Sequence, residues 1–323
     1  MDRIQFIFIL NLVKIQTYEY YIEKTESSQM ISVWLRVIRV RFLLASVIAV
    51  SVGLALNWSQ NGSVDILDIV LTFAGVLALH ASVDLLNDFW DFKRGIDTKT
   101  TRTKMSGGTG VLPEGLLKPS TVYRAGVAFL IIGSLIGSYF VITNGILIAI
   151  ILGFAILSIY FYSTKIVDSG LGEFFVAVKG SMIVIGTFFI QSGEITVESI
   201  FAGILIGTLS SLVLFIASFP DHDADKSKGR KTLVIVVGKE NARKLFWIFP
   251  LIAYSIILIG ISMNLLPVLS LISFLSFPLV LKSGLGLQKN YDSVDELVPF
   301  MSSSLKFSRI TGILFALSFV IPF

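Results

Sequence analysis

Apolar residues in this chain come in long, nearly unbroken runs, such as "FLLASVIAVSVGLAL" and "DIVLTFAGVLALHASVDLL", rather than in alternation or in a one-sided helical stripe. Runs of about 20 apolar residues predict helices that cross a bilayer, because the hydrocarbon core needs that length at 1.5 Å per residue. Nine such spans are predicted, near residues 34–56, 65–88, 121–142, 144–163, 171–192, 197–219, 244–262, 265–282 and 303–322. Pro267 and Pro278 interrupt the eighth. The predicted fold class is an all-α integral membrane protein.

Composition agrees with the pattern. Of 323 residues, 54% are hydrophobic and 15% charged, against about 25% charged in a soluble domain; the mean hydropathy is +0.83. There is no cysteine, which excludes disulfides, thiolate metal sites and cysteine nucleophiles, and two histidines, His80 and His222, cannot build a histidine cage.

Charge placement sets the expected topology. The loops near 57–64, 193–196 and 262–265 and the turn near Thr143 hold no Lys or Arg, whereas the loops at 91–124 and 220–244 hold seven each. The positive-inside rule therefore puts the N-terminus in the cytoplasm and the C-terminus outside. The basic pI of 9.1 is accounted for by topology, and no nucleic-acid partner is called for. The segment 1–31 has one short apolar run and no small-residue cleavage site, so it reads as an extension, interfacial or without function, with Met30 as a second plausible start; 32–323 is expected to be a single domain. The sequons at Asn57 and Asn61 are patterns short enough to occur by chance.

The chemistry gathers at two helix ends. In "NDFWDFKRGID" and the run before it, His80, Asp84, Asn87 and Asp91 are spaced by 4, 3 and 4 and share a helix face. Asp88 lies about 100° round from it, and Asp97 falls after Gly95, beyond the helix. In "FPDHDADKSKGRKTL", Asp221 and Asp225 repeat the four-residue spacing, each 134 positions after Asn87 and Asp91. Four spans lie between, so both pairs emerge on the same side. Oxygen ligands alone favour a hard cation, Mg²⁺ or Ca²⁺, and Mg²⁺ is commonly held by one or two carboxylates plus substrate phosphates. Carboxylates beside many cations, at the rim of a membrane domain, suggest a metal complex of a lipid diphosphate.

With these motifs the chain resembles the UbiA superfamily of intramembrane prenyltransferases. Asn87, Asp91 and Asp97 match its first motif; Asp221 and Asp225, followed by "GRKTL", match its second; "WLRVIRVRF", "YSTK" and "GLGE" are weaker matches. "KRGID" and "SGGTGVLPEG" are similar to the branch of naphthoate prenyltransferases and the vitamin K2-forming enzyme. Two departures stand out: Gly95 occupies the position of the usual third acid, and "FPD" precedes the second pair. The resemblance implies nine helices in a ring around a central cavity, a lateral opening for the prenyl tail, and two Mg²⁺ ions held through the diphosphate. Asn87, Asp88, Asp91, Asp97, Asp221 and Asp225 are the implied metal set. Arg39, Arg102, Lys104, Lys165 and Tyr162 are the implied diphosphate contacts. Lys228 is a further candidate which, like Arg94, also serves as a topology signal.

The reaction this implies is transfer of an isoprenyl group from its diphosphate to an aromatic quinone precursor, with the naphthoate type favoured. Asp84 is a candidate for orienting the acceptor or accepting its proton, or else a hydrogen-bonded residue between helices; His80 reads as structural, and Lys179 calls for a cavity or a partner rather than lipid. "SGGTG" (106–110) is a cap over the site or a plain loop. Ether-lipid prenylation of a geranylgeranylglyceryl phosphate is the alternative acceptor chemistry. A transporter would place its acids nearer the midplane, and a CDP-alcohol phosphotransferase would carry a "DGxxAR" motif, which is absent here. The expected setting is the plasma membrane of a prokaryote.

Overall fold

The structure, a computed structural model, describes residues 29–98 and 100–321. Among these residues nine helices are long and apolar enough to cross a membrane: α1 Val40–Asn61, α2 Ile66–Lys93, α3 Pro119–Asn144, α4 Ile146–Ser169, α5 Gly172–Ser192, α6 Val197–Ser227, α7 Lys239–Ser262, α8 Val268–Asn290 and α9 Val294–Val320. Most of the proposed N-terminal extension lies outside the described residues. Residues 29–37 are helical, and Val37 is buried in a small core with Leu85, Val111, Leu112 and Val122.

All nine expected spans are present, and their displaced ends have local causes. The first begins at Val40, because Arg39 adopts a left-handed conformation (φ 54°) that ends the preceding helical stretch. It also runs on through Asn57, which was expected to lie in a loop. There Asn57 is buried and donates to the Ser63 carbonyl at 2.8 Å. The eighth is composite: Pro267 precedes a 3-10 stretch, Val268–Ser276, and Pro278 sits in the first turn of the α-helix Phe277–Asn290. Proline is tolerated there because first-turn amides have no helical acceptor. The ninth starts nine residues earlier than expected, at Val294, with Pro299 in its first two turns.

The ends that matter for chemistry are longer than hydropathy indicates. Helix α2 continues to Lys93 and α6 to Ser227, so both acidic pairs are helical and keep one-turn spacing. Helix α4 loosens at its end into a π turn over Tyr162–Ile166 and a 3-10 turn over Val167–Ser169. Such π turns concentrate at functional sites.

Two packing modes hold the ring. Helices α5 and α6 approach through glycines: a Cβ on Gly180 would lie 2.9 Å from the Gly207 Cα. Small residues let backbones come close where lipid gives no hydrophobic drive for association. Helices α7, α8 and α9 are instead joined by hydroxyls: Tyr254 to Ser276 at 3.1 Å, Ser276 to Thr311 at 2.7 Å, and Ser270 to Ser318 at 3.0 Å. Helix α6 is the most buried span, and Phe215 and Phe219 on it are almost wholly enclosed. A cavity of about 420 Å³ opens between α1–α6 and α9; α7 and α8 contribute no residue to its wall.

Candidate active site

The mouth of this cavity is where the two acidic helix ends meet. Asn87 and Asp91 of α2, Asp221 and Asp225 of α6, and Asp97 from the loop after α2 all line it. Asn87 is held on both sides: its Nδ2 donates to Asp91 Oδ2 at 3.1 Å, and its Oδ1 accepts from Ser163 Oγ at 2.5 Å. Ser163 belongs to the π turn of α4, so that irregular end faces the α2 motif.

Arg230 joins the two motifs. Its Nη1 donates to Asp225 Oδ1 at 3.0 Å and its Nη2 to Asp91 Oδ1, with the guanidinium buried. The loop makes this reach possible. Gly229 takes φ 80°, and the amides of Lys228 and Arg230 both donate to the Asp225 carbonyl at 3.0 Å. Thr232 then accepts from the Ile235 amide at 3.4 Å and opens the next short helix. The "GRKTL" run is therefore a turn, a guanidinium and a helix cap in sequence. Arg94 straps the same region from outside, donating to the Ser163 carbonyl (2.5 Å), Asp168 (3.0 Å) and the Lys228 carbonyl (3.2 Å). Its expected role as a topology signal omits this structural one.

The "SGGTG" loop lies over the acids and bonds to both helices. The Gly107 amide donates to Asp221 Oδ2 at 3.2 Å, while Thr109 donates to Asp88 through its amide (3.1 Å) and hydroxyl (2.8 Å). Gly108 has φ 72°, and a Cβ there would meet the Asp97 carboxylate. Glycine is thus required by backbone angle and by close approach together.

The remaining candidates divide. Arg39, Tyr162 and Asp84 line the cavity. Asp88 is wholly buried and does not line it; its oxygens go to Thr109 and, at 3.4 Å, to Arg39. Arg102 pairs with Glu114, which also takes Arg36 at 2.7 Å, and these two arginines hold the Glu114 carboxyl down at about 2. Arg102 and Lys104 line a separate surface recess with Arg36 and Arg39. Lys165 sits 4.8 Å over the Phe161 ring, and the Lys228 ammonium lies against Gly95; neither lines the cavity. Arg230 and Ser163 bond directly to the candidate residues, Arg230 to Asp91 and Asp225 and Ser163 to Asn87, and acid spacing does not single them out. Both lie inside motifs that the sequence displays, "GRKTL" and "YSTK", and those motifs are the signals that point to them.

Nine membrane-spanning helices among the described residues, around an apolar cavity with acids and guanidinia at its mouth, are the architecture of an intramembrane enzyme. The sequence profile of the UbiA prenyltransferase family matches residues 46–305. The 1,4-dihydroxy-2-naphthoate octaprenyltransferase of Bacillus subtilis (strain 168) is 28% identical over 289 residues, 87% of this chain and 90% of that protein. The protein of the same description from Escherichia coli (strain K12) is 27% identical over 297 residues, 88% of this chain and 94% of that one. A solved structure of a UbiA homolog from Archaeoglobus fulgidus bound to DMAPP and Mg²⁺ superposes with a TM-score of 0.60 at 15% identity, covering 87% of this chain and 98% of that one. The chain belongs to the UbiA prenyltransferase family, and it is a multi-pass membrane prenyltransferase.

Whether the mouth suits a hard cation can be judged from its own oxygens. Among the described residues no three His, Asp or Glu side chains are gathered into a ready-made metal cage. Mg²⁺ seldom needs one, since substrate phosphates and water complete its octahedron. Asp221 Oδ1 and Asp97 Oδ2 are buried with no hydrogen-bond partner, and unpaired buried acceptors of this kind are costly unless a cation or donor meets them. Burial, reinforced by Asp91 and Asp88, pushes the Asp97 carboxyl up to about 8. The donor set is oxygen-only, and the residues present fit Mg²⁺.

Proposed function

We propose that this protein transfers an isoprenyl group from an isoprenyl diphosphate to an aromatic quinone precursor of the naphthoate type, with Mg²⁺ as cofactor. The observation that carries the reading is the meeting of Asn87, Asp91, Asp221 and Asp225 at the mouth of one apolar cavity with Arg230 and Arg39 among them. The naphthoate assignment is supported by the relatives from B. subtilis and E. coli.

In this reading Asn87, Asp91, Asp97, Asp221 and Asp225 would hold two Mg²⁺ ions, with Asp88 left to the loop it binds. Bound Mg²⁺ supplies charge stabilisation for the leaving diphosphate. The chain supplies the rest. Arg39 and Arg230 place fixed positive charge where diphosphate charge grows as the allylic C–O bond breaks. The apolar walls exclude water from the allylic cation, which water would otherwise capture. A ring carbon of the acceptor forms the new C–C bond, and the ring regains aromaticity by losing a proton, or carbon dioxide where that carbon bears a carboxylate. Tyr162 lines the cavity beside the acids and would bind the diphosphate with its hydroxyl. The acidic rim is placed on the cytoplasmic side of a prokaryotic plasma membrane, the side that the basic loops favour.

The test is turnover of the purified protein with Mg²⁺ and geranylgeranyl diphosphate, offered 1,4-dihydroxy-2-naphthoate, 4-hydroxybenzoate and geranylgeranylglyceryl phosphate in parallel. Prenylated naphthoate is the expected product. Prenylated glyceryl phosphate alone would move the enzyme to ether-lipid synthesis, and no diphosphate release from folded protein would refute the reaction.

A further inference from the structure

The cavity does not end at the acids. Deeper in the same wall are Ser46 of α1, His80 and Asp84 of α2, and Lys179 of α5. Asp84 stands seven residues inward of Asp91, and Lys179 stands seven residues in from Gly172, where α5 begins on the same side. At 1.5 Å per residue each is about 10 Å below the rim. Four polar side chains from three helices thus form a second polar level inside the hydrocarbon, walled by Val83, Val176 and Ile183 among others.

Two of these groups lack what a buried charge needs. Lys179 makes no hydrogen bond or ion pair to any described residue, although it lines the same cavity wall as Asp84. Asp84 Oδ2 is buried without a hydrogen bond, with His80 Nε2 the nearest partner at 3.8 Å. His80 is in turn fixed by Ser46, the two sharing a hydrogen bond of 2.7 Å between Nδ1 and Oγ. An ammonium and a carboxylate that face one cavity at one depth, yet do not pair, are expensive unless something bridges them. The bridging molecule must bring an anion to Lys179 and a hydroxyl donor to Asp84, with an apolar body between.

We propose that Lys179, Asp84 and His80 form the acceptor subsite of this enzyme and select a hydroxylated aromatic carboxylate. Lys179 binds the carboxylate, Asp84 accepts the ring hydroxyl, and Ser46 sets the orientation of His80 against Asp84. The subsite rests on the transfer reaction proposed above and adds to it the residues that distinguish an acidic acceptor from a neutral one. The level lies below the diphosphate mouth, so acceptor and donor head group are held by different residues.

The experiment measures equilibrium binding to purified full-length protein of three probes: 1,4-dihydroxy-2-naphthoate; 1,4-naphthalenediol, which lacks the carboxylate; and farnesyl thiodiphosphate as an unreactive donor. Wild type is compared with Lys179→Met and Lys179→Arg. Lys179→Met removes an unpaired charge from the membrane interior, so the fold is expected to be kept, and unchanged thiodiphosphate affinity verifies it. The expected result is a loss of naphthoate affinity of at least about thirtyfold in Lys179→Met, with little change for the diol and partial retention in Lys179→Arg. Equal losses for naphthoate and diol, or no loss for either, would overturn the subsite. Product analysis separates the two proposals: Lys179-dependent naphthoate binding without prenylated product defeats the reaction and keeps the subsite. Undiminished prenylation of naphthoate by Lys179→Met keeps the reaction and defeats the subsite.

Discussion

Arg230 reaches back to Asp225 at the end of α6 and across to Asp91 on α2, and the three side chains are all buried. Replacing it with Gln leaves two enclosed carboxylates without their counter-charge, and breaking a buried pair in this way costs about 3–5 kcal/mol. Arg230→Gln is therefore expected to melt at a lower temperature than wild type and to recover more of that loss when Mg²⁺ is added, which thermal melts with and without the ion would check. Equal Mg²⁺ responses in the two proteins would count against the acids as its site. Asp91→Asn and Asp225→Asn keep side-chain shape while removing charge, and each should lower kcat/KM at least about a hundredfold; near-normal rates in either would refute the shared site. The acids themselves were legible in the chain, because i,i+4 spacing is a local property of sequence. The pairing of Arg230 was not, because it depends on the Gly229 turn and on which helix end faces which. Arg94 and Arg102 show the converse: each is one basic residue among seven in its loop, and only tertiary neighbours separate a strap from a rim charge.

At the scale of elements, hydropathy located every span and misplaced the ends that carry chemistry, since α2 and α6 continue as helices after their apolar runs have stopped. Helical hydrogen bonding persists into polar sequence at the membrane surface, where only a glycine or proline signal stops it. The loop over the acids is tied down most closely at Thr109, whose amide and hydroxyl both donate to the buried Asp88 carboxylate, with the Gly107 amide on Asp221 as a further tie. Thr109→Val removes the hydroxyl and leaves one Asp88 oxygen without it, a change worth about 1–3 kcal/mol. The expected outcome is a loop cut earlier by limited proteolysis and a raised KM for the isoprenyl diphosphate, with the protein still folded. Protease sensitivity identical to wild type would show that the loop is held elsewhere. The α5–α6 contact makes a different demand: Gly180→Leu has no room against Gly207 and should destabilise by about 1–3 kcal/mol through overpacking, visible as a lower melting temperature in detergent.

For the whole molecule, the uneven distribution of basic loops predicts an orientation that the absence of cysteine makes simple to read. A single cysteine at Ser63 is expected to react with an impermeant maleimide on intact cells, and one at Lys226 only after permeabilisation, both positions being exposed; the reverse pattern would invert the topology. Exhaustive chelation should stop turnover of the membrane-embedded enzyme and readdition of Mg²⁺ should restore it. The cavity wall is drawn from α1–α6 and α9, while α7 and α8 stand behind them, joined to α9 by serine, threonine and tyrosine hydroxyls. The two regions are consequently exposed to different selection. Sequence drift in α7 and α8 would be felt mainly as the amount of protein that accumulates, whereas drift in the cavity helices would be felt as a change of substrate. A laboratory seeking a hardier version of this enzyme with its chemistry intact would do best to place its substitutions in those two rear helices.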